Sequence, residues 1–284
     1  MQEYLNILNP NQLKAVTSIN KKILVMAGAG SGKTRVLTTR IKYLIDQGVS
    51  PSEICAFTFT NKAAREMKWR LESMLRKNNK DIQTPVISTF HSFCYSFISL
   101  PEFYYTIGFT SKPGIIEDSV KSQIIKEILS TYNKDYSNIP FVKAISQIKN
   151  KAKITNVNPN DLPILNTVFH EYQRKLKQSN MIDYDDMIPL FIELSKQDYF
   201  YELIQTKYIL VDECQDTNQI QYELIKLLSE ESGNLFLVGD TDQLIYSFRS
   251  SDIEIINDFK DKADEVIILN QNYRCNQEIL HHAN

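Results

Sequence analysis

The chain has 284 residues, 43% of them apolar and 23% charged, enough for a real core in one large or two medium domains. Its formal net charge of −2 excludes a globally basic nucleic-acid binder, so any attraction to phosphate has to be local. No run is apolar enough to span a bilayer, the start Met1-Gln2-Glu3-Tyr4 lacks a signal-peptide profile, and four scattered cysteines (Cys55, Cys94, Cys214, Cys275) argue against a disulfide frame or zinc site and for the cytoplasm. In chain order, the first clear element is Ile23-Leu24-Val25-Met26, a buried strand. It runs into Ala27-Gly28-Ala29-Gly30-Ser31-Gly32-Lys33-Thr34 and then a helix from Arg35 to about Gln47, apolar at Val36, Leu37, Ile41, Leu44 and Ile45. Strand, glycine-rich loop and helix together point to a nucleoside triphosphate. The glycines let backbone N–H groups approach phosphates, Lys33 supplies a charge for the β- and γ-phosphates, and the Thr34 hydroxyl suits Mg²⁺. Ala27 stands where the usual pattern has glycine.

Further apolar runs follow at Ile54–Phe57, Val86–Ser88, Tyr208–Val211, Leu235–Val238 and Val266–Leu269. They are continuous rather than alternating, as expected for strands buried on both faces of a parallel sheet. Helical spacing fills gaps between them, at Ala63, Ala64, Met67, Leu71 and Leu75, and at Ile220, Leu224 and Leu228. The alternation predicts an α/β fold with helices on both faces of the sheet. Ligands in such folds sit at the carboxyl ends of strands, where Gly28–Thr34, Thr58–Asn61, Asp212-Glu213 and Gly239–Gln243 all fall.

Between about Leu100 and Gln178 the pattern changes. Tyrosine, lysine and asparagine dominate, prolines punctuate, and 119–132 and 164–178 read as helices. From Lys112 to Asn180 eleven lysines and arginines face six acids. This reads as a helical subdomain inserted into the sheet domain, its surplus lysines a solvated face first and a phosphate contact second.

Asp212 and Glu213 end an apolar strand. A carboxylate there holds Mg²⁺ through its waters, and a second orients or deprotonates water; the competing reading is a helix N-cap. The phosphate loop tips the balance to chemistry. In Gly239-Asp240-Thr241-Asp242-Gln243-Leu244-Ile245-Tyr246-Ser247-Phe248-Arg249, Gln243 is a candidate γ-phosphate sensor. Tyr246, Phe248 and Arg249 have the composition of a base-stacking platform, or of a core stripe capped by a surface arginine.

Taken in order, these segments resemble the N-terminal part of a superfamily 1A DNA helicase of the UvrD/Rep/PcrA family. Leu8-Asn9-Pro10-Asn11-Gln12 resembles its adenine-reading motif, Ala27–Thr34 motif I, Thr58–Ala64 motif Ia and Ser88–Phe93 motif Ib. Ile182–Met187 resembles the segment that returns the chain to the sheet domain. Asp212–Thr217 resembles motif II, Val238–Arg249 motif III and Asn272-Tyr273-Arg274 motif IV. The resemblance covers essentially the whole chain.

It implies a RecA-like P-loop NTPase domain over residues 1–105 and 181–284, with an inserted all-α subdomain over 106–180. It implies ATP and Mg²⁺ as cofactors, held by Ala27, Gly28, Ala29, Gly30, Ser31, Gly32, Lys33, Thr34 and Arg35. Gln12 would read the adenine edge and Tyr273 would stack on the ring. Thr34 and Asp212 would hold the metal, Glu213 would act as general base, Gln243 would couple phosphate state to DNA, and Arg274 would reach the γ-phosphate. Phe59, Asn61, Thr89, His91, Tyr246, Phe248 and Arg249 would line a single-strand track. Phe248 stands where the family has tryptophan. The chain stops ten residues past Arg274, so the resemblance implies that the second RecA-like domain is missing. The whole protein would be a 3′→5′ translocase acting on single strands and single/double-strand junctions, in repair or replication. The 284 residues alone would turn ATP over poorly. A nucleotide-dependent DNA-binding module and a helicase–nuclease subunit are the alternatives.

Overall fold

The computed structural model describes residues 3–75, 83–132, 136–155, 157–197, 200, 204–240 and 250–273. They fall into two compact units, one drawn from Met1–Phe90, Ile204–Thr217 and Ile225–Asn284, the other from His91–Leu203 and Asn218–Leu224.

The first unit is a parallel sheet. Its strands are β1 (Lys22–Ala27), β2 (Ile54–Thr58), β3 (Val86–Thr89), β6 (Tyr208–Val211), β7 (Asn234–Gly239) and β8 (Glu265–Leu269). They lie in the order β3-β2-β6-β7-β1-β8, and every pairing is parallel. Val25 sits opposite both Val238 and Ile267, and Thr58 opposite Thr89, so the carboxyl ends of neighbouring strands line up. The strands are near-continuous apolar runs because both faces are covered. Among its helices are α1 (Pro10–Thr17), α2 (Lys33–Asp46) and α3 (Asn61–Leu75). Leu37, Ile41, Met67 and Leu71 pack with Val25, Ala56, Leu210, Phe236 and Val238 in one core.

The outermost strand departs from the continuous pattern. Val266 and Ile268 are 37% and 58% exposed, while Ile267 and Leu269 are buried. An edge strand covered on one face alternates, and here α1 supplies the cover.

The second unit is mainly helical: α4 (Phe90–Ile98, whose first residue groups with the sheet), α5 (Pro101–Thr106), α6 (Asp118–Leu129), α7 (Asn138–Lys149), α8 (Leu162–Gln178) and α9 (Met187–Leu194). Ile125, Ile128, Phe141, Ile145, Val168, Tyr172 and Leu176 form one core. A second cluster gathers the rings of Phe93, Phe97, Phe103, Phe191 and Phe200. The unit also holds a two-residue parallel ladder that periodicity did not predict, β4 (Gly114–Ile115) against β5 (Met181–Ile182). Two further helices, α10 (Gln219–Ser232) and α11 (Ser250–Lys262), complete the described elements. No helix among the described residues is long and apolar enough to cross a membrane.

The surplus lysines of this region are not all solvated. Lys121 and Lys149 are 2% and 6% exposed. Lys149 Nζ pairs with Asp183 Oδ2 at 2.8 Å and Asp186 Oδ1 at 2.7 Å, and Lys121 Nζ pairs with Asp185 Oδ2 at 2.9 Å and Asp183 Oδ2 at 3.2 Å. Tyr172 donates to Asp183 at 2.8 Å, Gln173 to Asp186 at 2.9 Å, and Asn150 to Asp185 at 2.9 Å. Buried charges persist when they are paired and hydrogen-bonded, and this network ties residues 183–186 to α6, α7 and α8.

Candidate nucleotide and nucleic-acid site

The phosphate loop joins the carboxyl end of β1 to the start of α2. Gly30 and Gly32 have φ of 76° and 89°, the left-handed region that favours glycine. Gly32 is the N-cap of α2 and no side chain caps the helix, so its first-turn N–H groups remain available to an anion. A Cβ on Gly32 would lie 2.9 Å from Gln12 Nε2. The loop holds its own shape through Ser31, whose hydroxyl donates to Gly28 O at 2.7 Å.

Two flanking segments brace it. Asn9 caps α1, accepting from Gln12 N at 2.8 Å, while Gln12 Oε1 accepts from Asn9 N at 3.1 Å. The Gln12 side chain is fully buried, and its Nε2 donates to Ser31 O at 2.9 Å. On the other side Tyr273 N donates to Gly30 O at 2.9 Å and Asn272 Nδ2 donates to Ala29 O at 2.8 Å. Asn9 Nδ2 donates to the Tyr273 hydroxyl at 2.8 Å, so the predicted adenine-reading and motif IV segments meet. The Tyr273 ring is half exposed, as a stacking surface has to be. Arg35 is exposed on the first turn of α2 and borders a groove of about 810 Å³ with Tyr4, Thr39, Lys42 and Arg70.

Lys33 reaches across the sheet order. Strand β1 neighbours β7, and β7 neighbours β6, so the ends of all three converge. Lys33 Nζ lies 3.0 Å from both Glu213 Oε2 and Asp240 Oδ2. Gln215 closes a ring: its Nε2 donates to Glu213 Oε2 at 2.9 Å and its Oε1 accepts from Asp240 N at 2.9 Å. Burial alone pulls the Lys33 pKa down, but the hydrogen bonds and charges of Asp240 and Glu213 together raise it above the usual lysine value. Glu213 has φ 51° and ψ 46°, a left-handed conformation for a residue with a Cβ. Gly239 permits this turn, since a Cβ there would meet Cys214 Sγ at 2.6 Å. Asp240 and Gln215 were not singled out as site residues from sequence, although Asp240 follows a strand-end glycine and Gln215 lies two positions past Glu213.

Asp212 is buried beside the ring, 5% exposed. Its Oδ1 accepts from Glu213 N at 3.1 Å. Burial first, and then the charge of Glu213, push its pKa up to about 6. A desolvated carboxylate short of counter-charge, with the Thr34 hydroxyl on the first turn of α2, fits a divalent cation that takes its remaining ligands from phosphate and water. Among the described residues no cluster of three or more His, Cys, Asp or Glu forms a metal cage of its own.

Three predicted nucleic-acid residues come together in the sheet unit. Thr89 ends β3 beside Thr58 at the end of β2. Phe59 follows, its ring edge-on to Phe90 at 5.8 Å, and Asn61 opens α3. His91 belongs to the helical unit, where it stacks on Tyr184 at 3.9 Å between ring centroids. Burial lowers its pKa to about 4 despite the nearby charge of Asp185, so at neutral pH it offers a neutral imidazole. Gln243, Tyr246, Phe248, Arg249 and Arg274 lie outside the described residues.

A parallel sheet with a strand–loop–helix phosphate cradle and acid residues on the neighbouring strands defines a RecA-like P-loop nucleotide-binding domain. Residues 8–264 match the UvrD/REP helicase N-terminal domain, and the chain belongs to that family. Two curated relatives carry the name ATP-dependent DNA helicase PcrA. The one from Staphylococcus epidermidis is 41% identical over 98% of this chain and 39% of its own length. The one from Staphylococcus aureus is 40% identical over 100% of this chain and 40% of its own length. The chain thus spans about two fifths of the length of these relatives.

Proposed function

We propose that these 284 residues form the ATP-binding, DNA-contacting N-terminal part of an ATP-dependent 3′→5′ DNA helicase that translocates on single strands in the cytoplasm. The observation that carries this reading is the meeting of Lys33, Glu213, Asp212 and the uncapped start of α2 at one edge of the sheet, with Phe59, Asn61 and Thr89 at the ends of adjoining strands. The relatives are named as ATP-dependent DNA helicases, which agrees with it.

In this reading the loop N–H groups and Lys33 Nζ bind the β- and γ-phosphates, and Gln12 reads adenine through its second Nε2 proton and second Oε1 lone pair. Tyr273 stacks on the base and Arg35 borders it. Thr34 and Asp212 hold Mg²⁺, which neutralises charge on the phosphate oxygens when bound. Glu213 accepts the proton of the attacking water, and Gln215 keeps that carboxylate in place. Gln243 and Arg274 contribute γ-phosphate contacts. Phe59, Asn61, Thr89, His91, Tyr246, Phe248 and Arg249 line the single strand. The inserted subdomain is residues 106–180, which lie within the helical unit, and the sheet domain is made of parts 1–105 and 181–284. Single/double-strand junctions are the substrate, and repair or replication proteins are the partners.

The deciding measurement is ATP binding and hydrolysis by the 284-residue chain, with and without single-stranded DNA, with Lys33→Ala as the blank. Lys33-dependent binding of ATP–Mg²⁺, weak turnover and a nucleotide-dependent DNA affinity are expected, because charges supplied across such a cleft are worth roughly 10³–10⁵ in rate. Unchanged ATP affinity in Lys33→Ala would overturn the assignment of the loop.

A further inference from the structure

Helix α3 buries Ala64, Met67, Leu71 and Leu75 and turns its opposite side to solvent. Lys62, Arg65 and Trp69 are spaced by three and then four residues, so they share one stripe of that side. All three are exposed, and Trp69, the single tryptophan of the chain, is 68% exposed. Lys68 flanks the stripe and is exposed too. Arg70 of the same helix pairs with Glu66 at 2.5 Å, yet among the described residues Lys62, Arg65 and Lys68 have no carboxylate partner. A lone exposed aromatic needs no explanation. An indole among three unpaired cations, in a chain of net charge −2, is a local field of the kind the overall composition demanded.

We infer that this stripe of α3 is a contact surface for single-stranded nucleic acid, the indole stacking on a base while Lys62, Arg65 and Lys68 hold phosphates. Helix α3 starts at Asn61, two residues past Phe59, at the carboxyl end of β2. The rise from Asn61 to Trp69 is about 12 Å, so the stripe prolongs the proposed track along the helix. The inference rests on the DNA-binding part of the reading above. An acidic protein segment would satisfy the cations, but it carries no base to stack on the ring.

The lone tryptophan makes the test direct. Emission of the 284-residue chain is titrated with an oligothymidylate at low salt, beside the anisotropy of the same labelled oligonucleotide. Quenching should saturate with the anisotropy curve. Trp69→Ala should weaken oligonucleotide binding roughly fivefold or more, and Trp69→Phe should recover most of it. Arg65→Gln should reduce the slope of log K against log salt by about 0.7, one single-strand phosphate contact. Affinity for a fluorescent ATP analogue should not change in any of these variants, which shows that each is folded. Oligonucleotide binding by anisotropy with silent tryptophan emission and full affinity in Trp69→Ala would overturn the inference alone. A response to polyglutamate but not to the oligonucleotide would assign the stripe to an acidic protein and overturn it as well. No oligonucleotide binding at all, with ATP still bound, would overturn it together with the DNA part of the reading.

Discussion

Asp212→Asn is expected to stabilise the fold while removing its metal site. Asp212 follows β6 with its carboxylate buried, and burial pushes its pKa up to about 6, well above the ordinary aspartate value. A group whose folded pKa is raised contributes stability that is full below the unfolded pKa and is lost as pH rises through the folded one. Below about pH 4 both states carry the proton; above about pH 6 the fold bears the full cost of a buried anion. A rise of that size corresponds to on the order of 3 kcal/mol. Asparagine keeps the shape and the acceptor for the Glu213 N–H but carries no charge. Without added nucleotide, Asp212→Asn should therefore exceed the parent by on the order of 3 kcal/mol near pH 8, with the gap closing toward pH 4. Urea unfolding at a series of pH values reads this directly. The same variant should lose Mg²⁺-dependent affinity for a fluorescent ATP analogue. Equal or lower stability near pH 8, or a gap that persists in acid, would refute the reasoning.

Lys33→Ala should lose nucleotide affinity and also destabilise the sheet unit by roughly 3 kcal/mol, because Asp240 is 2% exposed and loses its counter-charge. Adding Asp240→Asn should recover most of the stability and none of the affinity; a double variant as unstable as the single one would contradict the pairing. Gly32→Ala forces a side chain into φ +89° and toward Gln12 Nε2, so thermal melting should show a loss of about 1–3 kcal/mol with weaker ATP-analogue binding. Lys121→Met leaves Asp185 without an ammonium partner, and should destabilise the helical unit by about 3 kcal/mol with unchanged nucleotide affinity, read by urea unfolding beside an analogue titration.

What sequence made legible follows from the range of the forces involved. Strands β1, β2, β6 and β7 stand out because burial on both faces leaves no polar alternation, and the loop stands out because Gly-Ser-Gly-Lys-Thr serves a local geometry. The pairing of Lys33 with Asp240 was hidden, because it depends on β7 lying beside β1, a neighbour relation 207 residues apart in the chain. Gln215 was hidden for the same reason: one end of its amide serves a residue two positions away and the other a residue 25 positions away. The lysines of the helical region misled in a different way. Lys121 and Lys149 look like surface charge until Asp183, Asp185 and Asp186 are folded against them from 34 to 64 positions further on. The acidic run Asp183-Tyr184-Asp185-Asp186 was the available signal, since three carboxylates beside a strand need cations. The asparagine before Pro10 was a signal of the same kind, because Asn9 three residues before Gln12 is a capping box as well as part of an adenine motif.

The ring of Lys33, Glu213, Gln215 and Asp240 gives the site a built-in exchange. Lys33 Nζ is held by two carboxylates, so a phosphate group has to compete with both for it. If the ammonium moves to phosphate, Glu213 loses its cation but keeps the Gln215 amide, which donates to the same Oε2. Asp240 keeps the bond from its backbone N–H to Gln215 Oε1 and gives up the Lys33 ammonium. One displacement of one lysine thus changes the surroundings of both the proposed base and the residue that follows β7. In this arrangement the arrival of phosphate and the release of Glu213 from Lys33 are a single event, with Gln215 as the fixed point between them.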